Sequence, residues 1–276
     1  MKEHIIRFWG VRGSFPTPDR DKYNVGGHTS CVEVRTADNQ LIVFDMGTGF
    51  VPFGNALMTE KNAPDTANVF ISHFHWDHII GYLGFTPFFN DTFTCNIYGK
   101  EDKLDIHTIF GRLHDYTFWP VEIPMYQAKF NLHTFPKEEV RISENITIKA
   151  TLHGHPNGAN SYRLTIGDKV IVYSTDIEHP EHQLNPNVLE IAKDADVLIK
   201  DAQFTNEQLP AHKGWGHSSW QQCVAVAEQS NVKQLVLYHH SPGNNDDAVA
   251  QIEKDAQAEF ANTIAAREGL EIKLPV

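Results

Sequence analysis

Apolar side chains along this chain come in short runs broken by turns rich in Gly, Pro, Asn and Asp. Runs bounded in this way read as strands. Leu41 to Phe44, Val69 to Ile71 and Lys233 to Tyr238 are predicted to be buried strands. Cys31 to Arg35, Ile146 to Leu152, Lys169 to Tyr173 and Asp196 to Ile199 are predicted strands as well, and His4 to Trp9 reads as an edge strand. A helix is expected to start over Ile79 to Leu83. Another is expected after Ser218 or Ser219, either of which can cap it, with Val224, Val226 and Ala227 suited to packing on a sheet. Asn244 to Asp247 look like the cap of the last helix.

Between Gly84 and Pro124 the pattern turns strongly aromatic, with Phe85, Phe88, Phe89, Phe93, Tyr98, Phe110, Tyr116, Phe118 and Trp119. Such a cluster serves as a lid, a substrate wall or a dimer face, or as core filler. No internal repeat or linker interrupts the chain, so residues 1–276 are expected to form one domain, with an aromatic-rich insertion at about 84–140. At 41% hydrophobic residues the chain can build a substantial core without staples. Cys31, Cys95 and Cys223 are odd in number and form no CxxC pair, which fits buried thiols in a reducing cytoplasm. No run approaches the roughly 18 apolar residues of a membrane span, so no membrane partner is expected. The formal net charge of −12 offers no basic surface to follow a phosphate backbone, and no long nucleic acid is expected. A small anionic substrate stays open, because bound cations dominate the field inside a pocket.

The chemistry collects where predicted strands end. Val69 to Ile71 runs into His73, His75, Asp77 and His78, four metal-capable side chains within six positions. His73 and His75 lie two apart and project to one side, so both reach one cation; Asp77 beside His78 suits a second. Asp176, just past the strand Lys169 to Tyr173, is placed to bridge two cations about 3.5–4 Å apart. His153 and His155 compete for one ligand position, as do His239 and His240, since only one of an adjacent pair faces a given side at a strand end. The helix start after His217 brings free N–H groups and a positive dipole end near that histidine, an arrangement that favours an anionic oxygen. The loops Gly10 to Pro18 and Gly26 to Ser30 either present amides to an anion or are ordinary turns.

His73-Phe74-His75-Trp76-Asp77-His78 resembles the HxHxDH signature of the metallo-β-lactamase superfamily, most of whose members are binuclear metallohydrolases. Asp45-Met46-Gly47-Thr48-Gly49 resembles its DxGxG turn, which implies that Asp45 supports the metal ligands. The spacing of His155 to Tyr162-Arg163 is similar to that of RNase Z-like members and selects His155, with His153 behind it or a bystander. Ser174-Thr175-Asp176 resembles the GDT-like motif with Ser for Gly, and Lys200-Asp201-Ala202 a Glu-Ala-Thr stretch with Asp201 for Glu, in a supporting role. His217-Ser218 resembles the His-Ser-Thr motif whose histidine assists the leaving oxygen, and His239-His240-Ser241 the pattern that selects His239, leaving His240 to line the pocket or face away.

The resemblance implies an α/β fold, the four-layer αβ/βα metallo-β-lactamase sandwich, closest to the phosphodiesterase branch. It implies two divalent ions, zinc with manganese or iron as alternatives: one on His73, His75 and His155, one on Asp77, His78 and His239, with Asp176 bridging. The expected reaction is hydrolysis of a small phosphodiester such as a cyclic nucleotide by metal-activated water, with Asp77 and His217 in catalytic roles and Ser218 beside them. Homodimerisation is implied by resemblance alone. No long Gly-rich arm of the kind RNase Z uses on tRNA is present, which makes an RNase Z-type endoribonuclease the weaker alternative. A lactonase or thioesterase is the other; a redox diiron protein would carry Glu at His75, and a binding protein would lack part of the ligand set.

Overall fold

The computed structural model describes residues 2–136 and 138–276. They form two compact units, one of the residues up to Gly10 with His28–Phe135 and Gly269–Val276, the other of Val11–Gly27 and Pro136–Glu268.

The first unit is built on β1 (Glu3–Gly10), β2 (Cys31–Arg35), β3 (Leu41–Phe44), β4 (Thr66–Ile71), β5 (Thr94–Gly99) and β6 (Lys129–Thr134), with α1 (Phe50–Thr59), α2 (Trp76–Ile79) and α3 (Ile106–Leu113). Strand alternation divides the residues of β4 and β5 between two faces. Val69, Ile71, Cys95 and Ile97 join Phe50, Phe53 and Leu57 of α1 in one core, where Phe50 stacks on Phe85 at 3.9 Å between ring centroids. The other face is laddered. Parallel, in-register pairing sets Phe70 against Tyr98 and Tyr98 against His133, and the rings stack at 4.9 and 4.8 Å. Two positions back, Asn131 donates to Asn96 and Asn96 to Asn68, which satisfies amides that a sheet face would otherwise leave unpaired.

The second unit holds β7 (Val140–Ser143), β8 (Ile146–His153), β9 (Ala159–Ile166), β10 (Lys169–Ser174), β11 (Val197–Asp201), β12 (Gln234–Tyr238) and β13 (Thr263–Ala265), with α4 (Pro186–Ala192), α5 (Trp220–Gln229) and α6 (Asp246–Glu259). Val172, Leu198, Leu235 and Leu237 pack with Cys223, Val224 and Ala227 of α5 and Ala256 of α6. Asn245 caps α6, and Asp246 and Asp247 occupy its first turn as expected. The C-terminal strand β14 (Glu271–Pro275) belongs to the first unit.

Each unit contains a seven-stranded mixed sheet. The orders are β14-β1-β2-β3-β4-β5-β6 and β13-β12-β11-β10-β9-β8-β7. Pairing is antiparallel from β14 to β3 and parallel from β3 to β6; in the second sheet it is antiparallel from β7 to β10 and parallel from β10 to β13. The parallel half of each sheet therefore ends in loops at its C-terminal edge, where open α/β sheets place their ligands.

Two expectations change. β1 is not an edge strand: β14 pairs along it from Glu3 to Arg7, a partner too distant in sequence for local pattern to reveal. The helix expected from Ile79 begins earlier, at Trp76, so Asp77 and His78 sit on a helical turn, and a 3-10 turn follows over Ile80–Gly84. The aromatic stretch, left open between core and surface, divides: Phe85, Phe88, Phe93 and Phe110 are buried core, whereas Phe89, Tyr116 and Phe118 stay exposed. Among the described residues no helix is long and apolar enough to cross a membrane.

Cys31, Cys95 and Cys223 are free and buried, and burial pushes all three thiols up, that of Cys223 to about 12. Only thiolate reacts with alkylating agents. Iodoacetamide at about pH 8 is therefore expected to leave the native protein unmodified and to add three groups once it is denatured, a difference read by mass spectrometry. Rapid labelling of the native protein would contradict this packing.

Candidate metal centre

In the first unit the candidate ligand residues follow β4, and Asp45, just past β3, braces that loop. Its backbone is left-handed, at φ 61. Its carboxylate accepts from the Ser72 amide at 2.7 Å, the Ser72 hydroxyl at 2.8 Å and His78 Nδ1 at 2.7 Å. A carboxylate only accepts, so the His78 proton lies on Nδ1 and Nε2 carries the lone pair. Two glycines make the tight loop possible: a Cβ on Gly47 would overlap the Asp77 carbonyl oxygen, and one on Gly81 the Gly47 carbonyl oxygen. His73 Nε2 lies 2.9 Å from His75 Nδ1, and His78 Nε2 lies 3.2 Å from Asp77 Oδ2. His73, Asp77 and His78 are buried and His75 is exposed.

In the second unit, Asp201 at the end of β11 plays the corresponding part. Its buried carboxylate accepts from His217 Nδ1 at 3.2 Å and from the amides of Ser218, Gln203 and Ile177 at 3.2, 3.1 and 3.3 Å. His155 donates Nδ1–H to the Gly216 carbonyl at 2.9 Å, and His239 donates Nδ1–H to Gln203 Oε1 at 3.0 Å. Asp176 and His239 are left-handed, at φ 54 and 57. Asp176 draws the set together: its carboxylate lies 3.2 Å from His239 Nε2, 3.7 Å from His217 Nδ1 and 3.9 Å from His155 Nε2.

The members of each competing pair differ in what their rings bond within this unit. His153 Nε2–H donates to the carbonyls of Thr175 and Asp176, both at 3.1 Å, and Ser161 bonds its Nδ1 at 2.8 Å. Its ring braces the Asp176 turn, and burial pushes its pKa down to about 4. His240 turns to the Ala266 carbonyl at 3.0 Å, and burial pushes its pKa down to about 3. Ser219, not Ser218, caps α5, in a capping box with Gln222. Ser218 instead accepts from the buried Lys200 ammonium at 3.0 Å and donates to the Ile177 carbonyl at 2.7 Å. The loop after Gly10 is a turn whose amides are taken: Gly13 donates to the His240 carbonyl and Thr17 to that of Gly27.

Sequence reasoning missed three supports. Gln203 orients His239; Lys200 holds Ser218; and Glu178 accepts from the amides of Gly214 and Gly216 at 2.8–2.9 Å, fixing the turn that delivers His217. Only Gly216 carried a signal: at φ +88, a Cβ there would overlap the His155 ring.

These side chains fit divalent cations. With its proton on Nδ1, a neutral His78 faces the Asp77 carboxylate lone pair to lone pair at 3.2 Å, and a neutral His239 faces Asp176 in the same way. Two acceptors at that distance repel unless a positive charge lies between them. The 2.9 Å between His73 and His75 nitrogens is also near the roughly 3.3 Å that separates ligands on a tetrahedral ion with bonds of about 2.0–2.1 Å.

Imidazoles and carboxylates at the C-terminal ends of parallel strands, with tautomers fixed by buried acceptors, define a metal-dependent hydrolase. The chain belongs to the β-lactamase superfamily: residues 41–240 match the family described as Beta-lactamase superfamily domain. It is 29% identical over 313 aligned positions to the ribonuclease Z of Thermoplasma acidophilum, covering 98% of this chain and 96% of that protein. Its fold is shared with the metallo-beta-lactamase fold protein YhfI from Bacillus subtilis (TM-score 0.73, 19% identity, 99% and 100% of the two chains). Human tRNase Z, short form, shares it too (TM-score 0.70, 19% identity, 99% and 100%).

These matches correct the expectation of no long nucleic acid. A ribonuclease aligns with nearly the whole chain, so a net charge of −12 does not exclude an RNA partner. The reason is local: the potential where a phosphate binds is set by cations and oriented donors in the site, and net charge averages over the remaining surface.

Replacing Asp45 by Asn turns one of its two acceptor oxygens into a donor NH2, so the residue no longer accepts from Ser72 and His78 together. Asp45→Asn is expected to weaken zinc binding by about 10–100-fold, measured by competition with a chromogenic chelator. An unchanged affinity would remove Asp45 from the support of the site.

Proposed function

We propose that the protein is a binuclear metal-dependent phosphodiesterase acting on nucleotide phosphodiesters. The observation that carries this reading is His217, held by the buried Asp201 carboxylate at 3.2 Å and standing 3.7 Å from Asp176. Hydrolysis at phosphorus expels an alkoxide, which needs a proton; a histidine backed by a carboxylate supplies one without needing to be exposed. In this reading the ions would be held by His73, His75, Asp77 and His78 of the first unit and by His155, Asp176 and His239 of the second. Zinc suits the N and O donors. When bound, the ions supply an activated water near neutral pH and neutralise charge at phosphorus.

The residues of the chain do the rest. Asp201 orients His217 and compensates the ring when it carries two protons, and Asp45, Gln203 and the Gly216 carbonyl keep the ligand imidazoles in one tautomer. His217 gives its proton to the departing oxygen.

RNA is the first substrate reading, supported by ribonuclease Z relatives that align across 98% of this chain. A small cyclic nucleotide is the second. One observation favours it: the alignment runs over 313 positions against 276 residues here, so the Thermoplasma relative carries at least 37 residues without a counterpart. Three buried thiols support a reducing, cytoplasmic setting.

The test is hydrolysis by zinc-loaded protein of precursor tRNA, 2′,3′- and 3′,5′-cyclic nucleotides and bis(p-nitrophenyl) phosphate. Turnover is expected with wild type and lost in Asp77→Ala. His217→Ala is expected to lower kcat by about 10²–10⁴ on substrates with an alkoxide leaving group and by less on the nitrophenyl ester, whose leaving group needs no proton. Full activity of His217→Ala on an alkoxide-leaving substrate would sink its assignment as acid. Silence on every phosphodiester would move the reaction to a carbonyl substrate, a lactone or thioester.

A further inference from the structure

The two glycines of Gly214-Trp215-Gly216 have left-handed backbones, at φ 84 and 88, and their amides converge on one side chain. Glu178 Oε2 accepts from Gly214 at 2.8 Å and from Gly216 at 2.9 Å, and Oε1 shares the Gly214 proton at 2.9 Å. Backbone amides turned toward a common centre in this way form a cradle for an anion. The anion that fills this one is a carboxylate of the same chain. Bonds from N–H groups to a carboxylate are roughly twice as strong as those between neutral groups.

Glu178 is also tied through its own backbone. It lies two residues past Asp176, and its amide donates to the Gly154 carbonyl at 2.9 Å, beside His155. On the far side of the cradle, the Gly216 carbonyl accepts from His155 Nδ1 at 2.9 Å, and His217 is the next residue. The Ser218 hydroxyl donates back to the Ile177 carbonyl at 2.7 Å, closing the circuit. The loops that carry His155, Asp176 and His217 therefore meet at one side chain. Asp201 fixes the His217 ring; Glu178 fixes the backbone that carries the ring and, through Gly216, the acceptor that sets the His155 tautomer.

We propose that Glu178 is a positioning residue that acts on two imidazoles at once. It holds His217 where its proton reaches the leaving oxygen, and it holds His155 in the tautomer and orientation that bind a metal ion. The His217 half rests on the phosphodiesterase reading; the His155 half holds whatever bond is cut. The consequence is a coupling: loosening this one carboxylate weakens proton delivery and metal binding together.

The test uses Glu178→Ala. Zinc affinity, measured by competition with a chromogenic chelator, is expected to fall about tenfold, at the lower end of the 10–100-fold range for losing a partner behind a ligand. At saturating zinc, kcat is expected to fall at least about tenfold on a substrate with an alkoxide leaving group and by less than about threefold on bis(p-nitrophenyl) phosphate. A merely structural role would lower both alike. In a His217→Ala background Glu178→Ala is expected to cost little more on the alkoxide-leaving substrate, because residues that act through one group are not additive. In Glu178→Gln a carbonyl oxygen in the place of Oε2 still accepts from both glycines, so smaller losses of the same two kinds are expected, and this variant carries the test if the alanine variant does not fold. Glu181, which pairs with Lys213 at 3.1 Å on the surface, is the control, and Glu181→Ala is expected to change neither quantity. Unchanged zinc affinity, an equal loss on both substrates, or losses that add to those of His217→Ala overturn the joint role. Wild-type protein that hydrolyses no phosphodiester would instead remove the phosphodiesterase reading and the His217 half with it, while zinc affinity decides the His155 half alone.

Discussion

A buried carboxylate at the end of a parallel strand is the constraint on which each unit's functional loops depend. Asp45 and Asp201 are both fully buried, and an isolated charge so placed would be strongly destabilising. Each is compensated by donors drawn from segments distant in sequence. Asp45 gathers Ser72 and His78, and Asp201 gathers Ile177, Gln203, His217 and Ser218. The requirement that these charges be satisfied dictates where the loops run. The ligand geometry is thus a by-product of electrostatic necessity in the second layer, and a side chain that touches no substrate can govern one that does.

How much of this was legible in the sequence depended on whether a residue's role was local. His73, His75, Asp77 and His78 announced themselves because their spacing is contained in one loop, and the strands that deliver Asp45, Asp176 and His239 were visible as apolar runs with a polar residue at the tip. The choice between His153 and His155 came from spacing to Tyr162-Arg163 in relatives. The structural basis of that choice, His153 bonded to the Asp176 turn, lies 22 residues away and leaves no local mark. Glu178, Lys200 and Gln203 were invisible for the same reason: each acts through partners brought near only by the fold. β14 was missed as the neighbour of β1 because its pairing spans almost the entire chain. Net charge misled differently, since a global sum was made to answer a local question.

The two sheets follow one plan, with three antiparallel pairings and then three parallel ones, and the ligand-bearing loops leave from the same region of each. In the first sheet Asp45 follows β3 and the histidine loop follows β4; in the second Asp176, Asp201 and His239 follow β10, β11 and β12. Parallel strands supply this because their C-terminal ends all point one way, so successive loops converge without long excursions. The histidine proposed to assist the leaving oxygen is the exception. His217 is carried by the turn before α5, which is why it requires Asp201 and the Glu178-held glycines to fix it.

Asp45, Asp176 and His239 all adopt the left-handed backbone conformation, at φ 61, 54 and 57, which costs a residue with a side chain roughly 1–2 kcal/mol relative to glycine. Backbone preference and side-chain engagement therefore pull against each other at three separate positions in the same chain. Glycine at position 45 would relieve the backbone and strand the Ser72 and His78 donors without the buried acceptor they share, so the strained conformation persists because its side chain is fully engaged.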